Sequence, residues 1–261
     1  MEQGWPLAIQ AWTFHKETLF EAIDNAKELG IHYIEIFPGQ VVSPEMSDVK
    51  FDENASVALI AKVKTRLEQA GVRPLALGVI GLSADEEQCR RVFDFAKVMG
   101  ITTISSEPPV EALPLIDKLA NEYGINMAIH NHPKPSRYWD ADVVLEAIKD
   151  CSPRIGVCAD TGHWIRSGLN PIECLRKLEG RILWSHFKDL NEKSPQAHDV
   201  VWGTGVADAR GMLAELKRQN YVGGISIEYE YNWGKAMPEI RRCVEFYRKT
   251  MAELFERAQR Q

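Results

Sequence analysis

The sequence lacks the cysteine patterns of a disulfide-stapled or zinc-framed protein. Its five cysteines are an odd number, lie far apart, and include no C-x-x-C pair. Cysteines spaced in this way are typical of reduced, buried thiols. The first residues also lack the basic and apolar segments of a secretory signal. We therefore expect the cytoplasm as the location.

Three further absences narrow the function classes. No apolar run approaches the roughly 18 residues of a membrane span, so we expect no membrane partner. There is no block of Lys or Arg and the formal net charge is −6, which argues against a nucleic-acid partner. No G-x-G-x-x-G motif follows a predicted strand, which weakens a dinucleotide-binding alternative.

What the sequence does contain is a regular alternation of eight strand patterns with eight amphipathic helix patterns. The first strand is predicted over residues 6–14, and the last helix over residues 238–258. Ser83 and Glu86 have the spacing of a capping box at the start of the third helix. Such alternation implies a parallel sheet with right-handed crossovers. Eight units in 261 residues predict a (β/α)₈ TIM barrel, one domain over residues 1–261.

Polar residues close the fifth to eighth predicted strands, and the carboxyl ends of barrel strands carry the chemistry. With side chains alternating between faces, the inward-pointing residues at these ends are His130, Asp160, His186 and Glu228. Two imidazoles and two carboxylates suit Mn²⁺, Zn²⁺, Co²⁺ or Fe²⁺ better than Mg²⁺ or Ca²⁺. We therefore predict one divalent metal ion held by these four residues.

Each of these residues also has an explanation that needs no metal. A histidine at a strand end is commonly a hydrogen-bonded structural residue. Asp160 could cap the short helical turn that follows it. Glu228 could form a buried ion pair with Lys188. The metal interpretation rests on all four residues closing adjacent strands.

The strand ends resemble those of the xylose isomerase-like barrel superfamily, which contains sugar isomerases and epimerases. The resemblance covers nearly the whole chain and is carried by residues 33–37, 128–132, 155–163, 185–189 and 224–230. It implies a metal held by Glu, Asp, His and Glu from strands five to eight. Asp160, His186 and Glu228 match this pattern, whereas His130 stands where the family usually has a glutamate. The resemblance also implies that His163 contacts the substrate.

The resemblance implies an isomerase or epimerase that acts on a sugar or keto-sugar through a metal-stabilised enediolate. In such epimerases the carboxylates of strands five and eight act as bases on opposite faces of a sugar carbon. His130 removes this symmetry, because a neutral metal-bound histidine cannot also act as a base. The alternative is a lyase or dehydratase that eliminates β to a ketone, similar to inosose dehydratases and 3-keto-glycoside lyases. The expected partner is a small-molecule sugar, and a homo-oligomer is left open.

Other residues near the strand ends are candidates for catalysis and substrate binding. The predicted catalytic residues are Glu228, Glu230, His132 and Lys188. The predicted substrate contacts are Glu35 (also an acid–base candidate), His163, Trp12, His198 and Trp202. The last two lie in a long loop, where packing of the tryptophan and solvation of the histidine are the alternative. Glu107 is expected only to shape its loop.

Two other function classes share this barrel. A zinc apurinic endonuclease needs a multi-metal cluster and a basic groove, and the sequence offers few spare ligands and a net negative charge. A non-catalytic sugar-binding barrel, in which His130 marks a degraded site, would bind a sugar without turning it over.

Overall fold

The computed structural model describes residues 4–256 and contains a closed barrel of eight parallel strands. In chain order, the strands are β1 (Leu7–Gln10), β2 (Tyr33–Ile36), β3 (Gln40–Val41), β4 (Lys50–Phe51), β5 (Arg73–Leu77), β6 (Thr103–Ser106), β7 (Asn126–His130), β8 (Ile155–Asp160), β9 (Ile182–Phe187) and β10 (Gly224–Ile227). The short strands β3 and β4 pair with each other in an antiparallel ribbon, and the other eight form the barrel. Around the barrel the order is β1-β10-β9-β8-β7-β6-β5-β2. Barrel strands that are consecutive in the chain therefore lie side by side.

Helices alternate with the barrel strands and cover their outer faces. Those described are α1 (Leu19–Glu28), α2 (Val57–Ala70), α3 (Glu86–Met99), α4 (Leu113–Tyr123), α5 (Ala141–Ala147), α6 (Thr161–Arg166), α7 (Pro171–Lys177), α8 (Ala209–Arg218) and α9 (Met237–Glu256). The predicted (β/α)₈ TIM barrel is confirmed. Within residues 4–256, no helix combines the length and the apolar character needed to cross a membrane.

Two predicted features differ from the structure, and a third cannot be compared with it. β1 ends at Gln10, because its side chain accepts a hydrogen bond from Trp12 N and begins a 3₁₀ helix, Ala11–Phe14. The residue that caps α3 is Asp85 rather than Ser83, since the Asp85 carboxylate accepts from the backbone N–H groups of residues 87 and 88. The predicted end of the last helix, residue 258, lies outside the described residues.

The interior of the barrel is filled below the strand ends by small side chains and one large ring. Ala8, Ala76, Ala128 and Cys158 pack against Trp184. The Trp184 ring has room because β10 begins with glycine: a Cβ on Gly224 would lie 2.1 Å from it. These side chains fill the barrel below the carboxyl ends of the strands. The polar residues at those ends form the floor of a cavity.

Candidate metal centre

The four residues predicted as metal ligands come together at the carboxyl ends of β7 to β10. His130 and Asp160 end β7 and β8, His186 lies in β9, and Glu228 directly follows β10. All four are buried, and each offers a ligand atom within 4.8 Å of the others. The alternation of side chains along the predicted strands thus identified four residues that form one cluster in space.

Three atoms that face this cluster form no well-aligned hydrogen bond among the described residues: His130 Nε2, Asp160 Oδ2 and His186 Nδ1. They make only close contacts within the cluster: His130 Nε2 with Asp160 Oδ2 at 3.5 Å, Asp160 Oδ2 with Lys188 Nζ at 2.9 Å, and His186 Nδ1 with Glu228 Oε2 at 3.2 Å. A buried polar atom without an aligned hydrogen bond is costly, and all three are atoms that bind divalent metals well. The donor set therefore fits a divalent transition metal, with Glu228 as the fourth ligand.

The opposite side of each ligand is held by the protein. His130 Nδ1 lies 3.1 Å from Glu107 Oε1, and His186 Nε2 lies 2.9 Å from Glu35 Oε2. Asp160 Oδ1 accepts a 2.7 Å hydrogen bond from the backbone N of His163 and so caps α6. Carboxylates behind the ligand histidines are the usual outer shell of a metal site, because they fix the ring orientation and the tautomer. Asp160 therefore has the predicted capping role through Oδ1, while its second oxygen, Oδ2, faces the cluster.

Lys188 lies among the acidic groups of the cluster and is fully buried. Its Nζ is 2.9 Å from Asp160 Oδ2, 2.7 Å from Glu228 Oε2 and 2.6 Å from Glu230 Oε2. Burial alone would lower the pKa of Lys188, but the carboxylates hold that pKa well above its ordinary value. Three carboxylates thus share this one ammonium, which makes the cluster a favourable environment for a further cation.

The two carboxylates of the ligand set are ionised for the same reason. Burial alone would raise the pKa of Asp160, but His163 and Lys188 hold it well below its usual range. Burial likewise opposes ionisation of Glu228, and Lys188 and His186 nevertheless lower its pKa. Both carboxylates are therefore ready to bind a cation at neutral pH.

A cavity of about 330 Å³ opens above the cluster. Of the predicted site residues it is lined by Trp12, His130, His132, His163, Glu228 and Glu230; the residues not predicted are Gln10, Phe37 and Val79. Gln10 is a polar strand-end residue, and the sequence rule would have found it if the first strand had not been extended to residue 14. Phe37 and Val79 carry no such signal.

Three predicted substrate contacts do not line the cavity. Glu35 has no exposed surface, and its carboxylate accepts hydrogen bonds from Trp184 Nε1 and Ser105 Oγ as well as contacting His186. This burial argues against the predicted substrate and acid–base roles and makes Glu35 a residue that orients His186. Trp202 is 1% exposed and packs on Phe187, so packing explains it. His198 stacks on Tyr231 outside the cavity lining.

Glu107, expected only to shape its loop, instead connects two histidines. Besides His130, it accepts from the backbone N of His132 at 3.0 Å and from Ser136 Oγ at 2.8 Å, and its Oε1 contacts the His132 ring. Burial opposes ionisation, but the contacts with His130 and His132 hold the pKa of Glu107 below its ordinary value. Glu107 directly follows β6, so the strand-end rule would have included it.

Replacing Glu107 by glutamine is expected to weaken binding of a divalent metal about 10- to 100-fold, the range for outer-shell partners. The amide cannot hold His130 Nδ1–H with the same strength, so the ligand ring loses its fixed orientation. Titration calorimetry with Zn²⁺ or Mn²⁺ measures the dissociation constant. Glu111→Gln, which neutralises an exposed carboxylate nearby, is the matched control; equal affinities for the two variants would contradict the orienting role.

With this geometry in place, the chain can be assigned to a class of proteins. The family model of the xylose isomerase-like TIM barrel matches residues 23–250. The chain belongs to this family, whose members include sugar epimerases and inosose dehydratases.

The similar proteins include curated relatives matched by sequence and solved structures matched by fold. An inosose dehydratase of Lacticaseibacillus casei is 24% identical over 134 residues, 46% of this chain and 45% of that protein. The chain thus matches about half the length of the curated relatives. A crystal structure of an uncharacterised protein from Parabacteroides distasonis has a TM-score of 0.77 and 37% identity, covering 94% of this chain and 98% of that one.

Two further solved structures share the fold at lower identity. A D-tagatose 3-epimerase-like protein has a TM-score of 0.75 at 19% identity, covering 97% of this chain and 99% of that one. The IOLI protein, solved with a zinc atom, has a TM-score of 0.73 at 18% identity, covering 95% and 99%.

Proposed function

We propose that this chain is a divalent-metal-dependent enzyme that isomerises or epimerises a sugar or keto-sugar by moving a proton next to a carbonyl. The observation that carries the proposal is the buried His130–Asp160–His186–Glu228 cluster, two of whose members, His130 and Glu228, line a ligand-sized cavity. A divalent metal bound there would supply a Lewis acid that polarises the carbonyl and stabilises the enediolate.

The chain's own acid–base groups stand on two sides of the cavity. Glu230 follows β10 and His132 follows β7, with β8 and β9 between them. Glu230 is positioned by Trp12 Nε1 at 3.1 Å and by Lys188 Nζ at 2.6 Å. One group can therefore remove a proton and the other return it, which supports isomerase or epimerase chemistry despite the imidazole at position 130.

A second candidate is a dehydratase or lyase that shares the first step. It is favoured by the inosose dehydratases among the relatives, and His132, which lines the cavity, is a side chain of the type that can donate a proton to a departing oxygen. The two candidates differ in the fate of the deprotonated substrate: reprotonation gives an isomer, and loss of a β-hydroxyl or β-alkoxyl gives an unsaturated ketone.

The test is proton exchange in heavy water. Metal-free protein is reloaded separately with Mn²⁺, Zn²⁺, Co²⁺ and Fe²⁺ and incubated with ketoses, keto-cyclitols and keto-glycosides, followed by proton NMR. We expect loss of the α-proton signal only with metal, together with an isomer for the first candidate or a vinylic signal for the second. Metal-loaded protein that exchanges no α-proton on any of these ketones would contradict both. Nicking of abasic DNA would support the endonuclease instead.

A further inference from the structure

A row of aromatic rings runs from the cavity to the protein surface. Phe37 contacts Trp12 with 4.7 Å between ring centroids, Trp12 stacks on His15 at 4.3 Å, and His15 meets Trp233 edge to face at 4.6 Å. We call these four residues the aromatic ledge. Phe37 and Trp12 line the cavity, whereas Trp233 is 39% exposed. The ledge therefore begins beside the candidate metal centre and ends in solvent.

The local structure fixes the inner part of the ledge. Trp12 lies in the 3₁₀ helix Ala11–Phe14 and His15 caps its end; side chains three residues apart in such a helix lie above one another. The His15 Nδ1 atom is 2.9 Å from Trp12 O, and the Trp12 indole donates to Glu230. Ring faces at this end are thus held in place by the same carboxylate that borders the reaction site.

The outer end of the ledge belongs to the loop after β10. Trp233 stands between Asn232, with a φ of 51°, and Gly234, with a φ of 80°, so two left-handed residues set the turn that presents the ring. β10 pairs with β1 in the barrel, which brings this loop next to the 3₁₀ helix that carries Trp12. The strand pairing of the barrel therefore assembles the ledge from both ends of the chain.

The size of the cavity limits what it can enclose. At about 330 Å³ it lies at the lower end of the roughly 300–1,000 Å³ range of ligand pockets. A single small ring fills such a space. Any group attached to that ring must leave it, and the ledge is an apolar surface that leads out.

The charges around the cavity disfavour a phosphorylated ligand. None of the nine described residues that line it is Lys or Arg, and two of them, Glu228 and Glu230, are acidic. The cations beside the floor of the cavity are already paired: Lys188 with three carboxylates, and Arg166 with Asp199 and Glu230 at 3.4 Å each. Lys16 lies at the outer end of the ledge, with its Nζ 5.2 Å from the centroid of the Trp233 ring. A phosphate group inside the cavity would therefore find no Lys or Arg side chain in the lining to pair with.

We propose that the aromatic ledge is a subsite for a second ring, and that the ligand is an uncharged glycoside. Its first ring lies in the cavity, and its second ring, a sugar or an aryl group, packs on His15 and Trp233. The faces of aromatic rings are electron-rich and attract the electropositive C–H groups of a sugar or the edge of another ring. This subsite rests on the proposed function, because that function places the reacting ring over the candidate metal centre.

The test compares matched ligands by titration calorimetry on the metal-loaded protein, with no turnover required. The ligands are methyl and phenyl glycosides of the common hexoses, and hexose 6-phosphates. We expect phenyl glycosides to bind about tenfold more tightly than the matched methyl glycosides. Trp233→Ala should remove this difference and leave the methyl glycosides unchanged, whereas Trp139→Ala, at a partly exposed tryptophan on another loop, should leave it intact.

The remaining outcomes distinguish the second-ring subsite from the proposed reaction. Equal binding of phenyl and methyl glycosides, tighter binding of hexose phosphates, or a preference that survives Trp233→Ala would overturn the second-ring subsite, whatever the proton-exchange result. A phenyl preference that depends on Trp233, in a protein that exchanges no proton, would keep the subsite and overturn the proposed reaction.

Discussion

Replacing Asp160 by asparagine is expected to abolish binding of a divalent metal and to slow metal-dependent proton exchange by about 10³-fold or more. The carboxylate oxygen that faces the cluster, Oδ2, which also contacts Lys188, becomes a neutral amide atom, and the Lewis acid worth several kcal/mol to the reaction is lost. Asparagine still accepts the hydrogen bond from the backbone N of His163, because it is as good an N-cap as aspartate. The fold should therefore survive.

The measurement has two parts: metal per chain after dialysis, by plasma mass spectrometry, and the exchange rate by NMR. Asp142→Asn makes the same chemical change at an exposed carboxylate paired with Lys177 and should keep both values. An Asp160→Asn protein that retains one metal per chain would remove Asp160 from the ligand set. Retained metal with lost exchange would move its role to the substrate.

Replacing Lys188 by methionine is expected to lower the free energy of unfolding of the metal-free protein by about 3 kcal/mol or more, the scale for breaking a buried ion pair. The variant leaves Asp160, Glu228 and Glu230 without their shared ammonium. A divalent metal should restore much of the loss, because a cation that binds only the folded state stabilises it. Urea unfolding with chelator and with added Mn²⁺ or Zn²⁺ measures both values.

The metal dependence separates this expectation from a simple packing defect. Methionine keeps most of the length of the lysine stem, so a general loss of packing is small. Lys177→Met, at a half-exposed lysine with a single surface partner, should change stability little in either condition. A Lys188→Met protein equally destabilised with and without metal would show that Lys188 stabilises the barrel by packing rather than by charge.

The barrel and the candidate metal cluster were predictable because they depend on local patterns. Strand and helix periods are written in consecutive residues, and alternation along a strand decides which side chain faces inward, as it did for His130 and Asp160. Parallel strands then bring their carboxyl ends to one side without further information. Boundaries were less predictable, because both Ser83 and Asp85 are good caps and only the actual backbone path chooses between them.

Most partners of the site side chains were not predictable, because they come from distant elements. The sequence suggested the ion pair of Lys188 with Glu228, but gave no sign that Asp160 and Glu230 contact the same ammonium. Glu35 faces inward. Its carboxylate accepts a hydrogen bond from Trp184 and contacts His186, and both partners lie on a strand distant in sequence. Trp233 lies in a loop without a periodic pattern, so its contact with His15 appears only once β1 and β10 pair.

Trp184 both fills the barrel interior and contacts a residue of the candidate site. Its indole donates a 2.6 Å hydrogen bond to Glu35, which in turn contacts His186, so one continuous chain of contacts joins the packed interior to the candidate metal centre. Gly224 lies directly against the Trp184 ring and pairs with Trp184 in the register of β9 and β10, two residues before His186. A substitution there would act on the orientation of His186 through two intermediate side chains. Selection for a different metal or reaction rate can therefore act on the tightly packed interior, leaving every residue that touches the ligand unchanged.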